Sequence, residues 1–259
     1  MRMMKKVLGT VTVLALSVSL LAGCGSTAVS PVSSTASTAA ESTTSSVVSE
    51  TTSAAADENA AAAAQLLNDL TGSYQELWPV ILADEYQQTW LDDCIALVGE
   101  ENAEAAFEKL SSMVTGDVYG EDAVEAYANG GGAYFCGFTN SLATLTFDGE
   151  TSTISGTDKD GNVLFSHTYH YIGMEPVHGL YEFESDDADS GEFTYFFLAP
   201  DTSAETYHIE FRYGSDAEAL SQYDAGEYAY WVASGISTDC DQTMIDNCIE
   251  LFCTENLAG

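Results

Sequence analysis

Basic residues are what this sequence has least of. Lys and Arg together number 6 in 259 residues, against 41 Asp and Glu, for a formal net charge of −35. Nucleic acid and anionic headgroups both call for a basic footprint, so neither is an electrostatic partner of such a chain. Histidine is scarce too, at 4, which leaves few candidates for any site built on imidazole. The 6 cysteines include no Cys-x-x-Cys pair, which argues against a zinc ribbon or a dithiol of that type. Gly-x-Ser-x-Gly, His-Glu-x-x-His and the P-loop are missing as well. The glycine run in residues 128–135 lacks the following helix that would make it a phosphate cradle. These gaps lead to the expectation of a binding protein that is not an enzyme. What is present is 46% hydrophobic residues, enough to bury a core. The acidity favours cations as partners and also serves solubility.

The first 23 residues begin with Arg2, Lys5 and Lys6 and continue as an apolar run from Val7 to Ala22. That run is short for a bilayer span and ends in small residues, the pattern of a secretory signal. Leu21-Ala22-Gly23-Cys24 resembles the bacterial lipobox, which implies lipid attachment at Cys24 and an extracytoplasmic chain anchored to the cell membrane. Loss of residues 1–23 removes three basic residues and no acid, leaving Lys109, Lys159 and Arg212. Residues 24–59 are nearly all Ser, Thr, Ala and Val with no aromatics and read as a disordered tether. One folded domain is expected over 60–259.

Within that domain helical spacing comes first. Ala60 to Ala64 opens a helix, and Tyr86, Trp90, Leu91, Cys94, Ile95 and Val98 fall three and four apart before Gly99 interrupts. From Leu142 onward, short alternating runs are separated by turn signals such as Asp148-Gly149 and Asp158 to Gly161. About six such strands, with others possible, predict an antiparallel meander curling toward a barrel. In "TYHIEFRY", Tyr207, Ile209, Phe211 and Tyr213 share one face, while Thr206, His208, Glu210 and Arg212 share the other, polar one. Ser215 with Glu218 reads as a capping box for a helix from Asp216.

"LTGSYQELWPV", "DADSGEFTYF" and "TYHIEFRYGSDAEALSQYDAGEYAYWVASGI" occur in an order and spacing that resemble ZinT/YodA-type zinc-binding domains of the calycin group. The resemblance runs from about Leu70 to about Ile236. It implies a mainly β fold, a lipocalin-like antiparallel barrel of eight to ten strands with helices flanking it at both ends of the domain. It also implies zinc as ligand, a divalent-cation role and a metal-uptake transporter as partner. The family's site uses a His-x-His pair on this strand and a third histidine in the strand before. Here His208 stands at the second position of the pair, Thr206 at the first, and "YFFLAP" supplies no histidine.

A composite metal site of His208, Glu210, Glu205 and one of the remaining histidines, with His178 as the candidate, is therefore the expectation. His167 and His170 differ by an odd number and point to opposite faces of one strand. The alternative is a module with the fold kept and the zinc site eroded, binding a small ligand or an envelope protein. Five cysteines follow Cys24; one or two disulfides with at least one free thiol are expected, Cys240 to Cys248 or Cys253 being a staple for the C-terminal helix, and the odd count also allows that none is paired.

Overall fold

Leu145 and Phe147 lie on one side of strand β2 (Thr144–Asp148) and are both buried, while Thr144, Thr146 and Asp148 lie on the other. The same alternation organises β3 (Thr153–Thr157), β4 (Val163–Met174) and β5 (Tyr181–Ser185), whereas β6 (Tyr195–Leu198) and the second half of β7 (His208–Gly214) are buried on both faces. A computed structural model of the chain describes residues 58–112, 136–200, 208–229 and 231–258. In it, β1 (Gly72–Glu76) and β8 (Ala233–Ser237) complete a closed antiparallel barrel. Each strand pairs with its sequence neighbour, and β1 closes on β8 with Tyr74 opposite Ser237. The fold is mainly β and lipocalin-like, with eight strands and helices at the N-terminal and C-terminal parts of the domain. No helix among the described residues is long and apolar enough to cross a membrane.

An eight-stranded barrel has an interior just wide enough for side chains to fill, and here aromatic rings fill it. Phe165 stacks on Phe193 at 4.0 Å between centroids, Phe196 on Tyr213 at 5.4 Å, and Trp231 meets Tyr213 edge-on at 5.1 Å. The segment after Cys136 is bound to this filling. The Thr139 N–H donates to the Tyr213 hydroxyl at 2.6 Å, and that hydroxyl donates to the Thr139 carbonyl at 2.9 Å. The Trp231 indole donates to the Gly137 carbonyl at 3.0 Å, and Glu76 accepts the Phe138 N–H at 2.7 Å. Polar atoms that enter the aromatic interior are thus satisfied, as burial demands.

Helix α1 (58–69) adds Ala63, Leu66 and Leu67 to the interior cluster. It lies against the β2–β3 turn, where Gly149 donates its N–H to Thr71 Oγ1 at 3.0 Å. A second apolar layer covers part of the barrel's outer surface. It is built from α2 (Leu77–Ile81), α3 (Gln87–Val98), α4 (Glu100–Ser111) and α6 (Gln242–Leu257) around Trp78, Trp90, Ile249 and Phe252, packed on Ile236 of β8. Trp90 is fully buried with its indole N–H on the Ile81 carbonyl at 2.7 Å. Burial of each such side chain stabilises the layer by about 1.5–3 kcal/mol. Gly99, at φ 84°, separates α3 from α4 where the sequence predicts the interruption.

Three local expectations change. The cap after β7 is Asp216, whose Oδ1 accepts from the N–H groups of Glu218 at 2.9 Å and Ala219 at 3.1 Å. Helix α5 (Ala217–Leu220) stops after four residues, and Ser215 bonds Glu192 instead. An aspartate caps as well as a serine, and it stands one position nearer the helix. His178 sits in the turn between β4 and β5, not in a strand, because Glu175 draws the chain round by accepting the N–H groups of Val177 at 2.8 Å and His178 at 2.6 Å. The five described cysteines are all unbridged, so the expected staple from Cys240 is not formed.

Candidate functional site

β7 carries the candidate ligands, and its two faces are both occupied. Ile209, Phe211 and Tyr213 point into the barrel. His208, Glu210 and Arg212 point out, but the outward face is covered by protein, which the polar pattern alone hides. His208 is half-buried, pairs with Ile236 of β8 and meets the Phe252 ring of α6 at 5.7 Å. Glu210, also half-buried, pairs with Ser234. Two residues apart on one face, these side chains leave the backbone about 7 Å from each other. Burial, and secondarily the Glu210 carboxylate, pushes the Cys136 thiol up to about 12. Cys248 is pushed up to about 12 by burial, then by Cys240 and Glu210. Both sulfurs are therefore neutral thiols beside the carboxylate and poor ligands as they stand.

His178 belongs to another cluster. Its ring lies 3.8 Å from that of Tyr223, and its Nδ1 lies 3.8 Å from a Glu175 oxygen, too far for a hydrogen bond. Burial lowers its pKa; Glu175 opposes that and Arg212 adds to it. Arg212, fully buried, donates to the carbonyls of Leu220 and Tyr228 and, at 3.2 Å, of Gln222. It also stands 4.2 Å over the Tyr223 ring. Burial lowers its pKa, opposed by Tyr223, Glu175 and Tyr228. This guanidinium thus ties segment 217–229 to the outside of β7, a role that the sequence signals only as a lone cation on the strand's polar face.

His167 and His170 project from opposite faces of β4, as their spacing predicts. Each meets its own aspartate after β5: His167 Nδ1 lies 2.7 Å from Asp187, and His170 Nδ1 lies 2.8 Å from Asp186. No three His, Cys, Asp or Glu side chains among the described residues form a group that could hold a metal ion. His208, Glu210 and His178 are therefore not gathered. Glu205 and Cys24 lie outside the described residues.

No protein-family model and no curated protein matches this chain. Among solved structures, two similar ones come from the same source. The Zn(II)-bound ZinT-like domain of Streptococcus pneumoniae AdcA is similar at 15% identity and a TM-score of 0.45, over 71% of this chain and 89% of that one. Zn(II)-bound AdcA from Streptococcus pneumoniae is similar at 16% identity and a TM-score of 0.41, over 72% of this chain. The chain spans 35% of the length of that second structure.

Proposed function

We propose that this protein is an extracytoplasmic module, anchored by lipid at Cys24, that binds a divalent cation without catalysing a reaction. Its site centres on His208 and Glu210, and a metal-uptake transporter is the recipient. The observation that carries the reading is the placement of one imidazole and one carboxylate on the same outward face of β7. The charge supports it. Arg212 is buried on backbone carbonyls, so among the described residues the exposed Lys109 and Lys159 are the basic groups facing many acids. Such a surface concentrates cations. Two ligands fall short of the three or four that zinc takes. Glu205, which lies outside the described residues, is the further carboxylate we assign to the set; standing an odd number of residues from His208, it must depart from strand alternation to join it.

The second reading, a module whose ligand is not a metal, is favoured by the packing of His208 against Phe252, which is what a structural histidine does. Calorimetric titration of the chelator-stripped full chain with zinc, beside His208→Ala, separates them. One saturable site that the substitution removes supports the metal reading. Absent heat, or weak binding unchanged in the variant, overturns it in favour of the second.

A further inference from the structure

Cys94 lies in α3 and Cys253 in α6, 159 residues apart, yet their sulfurs stand 3.9 Å from each other with both residues fully buried. The pair is enclosed by apolar and aromatic side chains, including Trp90 and Ile249 of the same cluster. A disulfide requires sulfurs at about 2.0 Å, so the two must close by about 2 Å, within reach of side-chain rotation between packed helices. Nothing in the metal reading uses these thiols. We infer that Cys94 and Cys253 are the cross-linking site of this fold, a disulfide that joins α3 to α6 when the chain meets a small-molecule disulfide oxidant such as oxidised glutathione.

The exchange balances. One protein thiolate attacks the oxidant, breaking its S–S bond, forming a mixed disulfide and releasing one glutathione thiolate. The second protein thiolate then attacks the protein sulfur of that mixed disulfide. The new Cys94–Cys253 bond forms, and the second glutathione leaves as a thiolate. Both cysteines are oxidised, the oxidant is reduced to two thiols, and the two protein protons end on glutathione.

Burial also sets when this happens. It raises the thiol pKa of both residues, Cys253 further by the neighbouring Cys94. The attacking species is the thiolate, so the closed core exchanges slowly. The bond therefore forms during folding, or when the C-terminal turns of α6 open, and once made it is shielded from reductant.

The test uses the full chain in a glutathione redox buffer, once in the native state and once refolded from denaturant. Remaining thiols are alkylated, and peptides are mapped by mass spectrometry without reduction. Refolding is expected to give one linked peptide pair containing Cys94 and Cys253, two hydrogens lighter than the reduced pair. It should appear at least tenfold faster than in the native state. In Cys94→Ala, Cys253 should be alkylated. If both cysteines are alkylated after refolding, or if Cys253 is linked to Cys240 or Cys248, the inference is overturned. Because the wild-type map reads the pairing directly, poor folding of the variant does not decide the outcome.

Discussion

Replacing Arg212 with Leu keeps much of the side chain's bulk and removes its fork of donors. Three carbonyls, those of Leu220, Gln222 and Tyr228, then lose their partner, and the cation over Tyr223 disappears. A hydrogen bond to a charged group contributes about 1.5–3 kcal/mol. The three share one guanidinium and do not add. The change also strips the buried Glu175 of its attractive neighbour. Losing one member of a buried charge arrangement costs about 3–5 kcal/mol, and we take that as the total. In a domain of this size each kcal/mol moves Tm by about 2–4 °C, so a fall of about 10 °C is expected in a calorimetric melt of the full chain. Limited proteolysis should show new cleavage within 217–229, because the strap loses its tie to β7 before the barrel itself opens. Arg212→Lys should recover only part of the loss, since an ammonium cannot reach three carbonyls in a fixed fork. A melt within 2 °C of wild type, with the strap still resistant, would refute the reasoning.

Other consequences follow from single side chains. His178 is held below its ordinary value of 6.5, chiefly by burial. The unfolded chain therefore takes up that proton first as pH falls through about 6.5, and stability drops until the folded histidine also titrates. His178→Gln should remove that loss, so the wild-type-minus-variant stability difference should fall as pH drops through that window in denaturant titrations; parallel curves would contradict it. Asp93 is raised by burial, then by Glu250, Asp246 and Asp92, so it disfavours folding once pH rises above the ordinary aspartate range. Asp93→Asn should raise Tm at neutral pH, by less at high salt and not at all in acid. A Cβ on Gly149 would fall 2.6 Å from the backbone nitrogen of Asn68 and the carbonyl of Leu67. Gly149→Ala should then cost about 1–3 kcal/mol by overpacking, read as a lower denaturant midpoint with the m-value retained.

The strands from β2 to β5 are legible because a barrel wall buries one face and thereby forces period-two alternation on the sequence, and β6 and β7 because they are short apolar and aromatic runs buried on both faces over part or all of their length. β1 and β8 are harder to see. "GSYQE" and "ASGIS" carry small or polar residues, since a Cβ on Gly235 would already sit 3.1 Å from Ile209 and 3.3 Å from Phe138. Each carries a single large apolar residue, Tyr74 or Ile236, too few of the aromatic and branched side chains that announce a strand. The site was less legible for a related reason. Alternation shows that His208, Glu210 and Arg212 share a face, but it does not distinguish a face in water from one under helices. Phe252 lies 44 residues after His208 in the chain, and nothing local in "TYHIEFRY" registers its approach. His178 read as a strand residue because its neighbours alternate, while the turn is made by Glu175 bonding the backbone ahead of it.

The aromatic filling of the barrel changes what evolution can do with such a scaffold. Where a barrel is a cup, new specificity comes from reshaping its hollow one residue at a time. Here Phe165, Phe196, Phe211, Tyr213 and Trp231 lean on each other as a solid post, so enlarging the centre would loosen the whole wall at once. Novelty is pushed to the exterior, where loops, straps and helices can be exchanged while the post stays as it is.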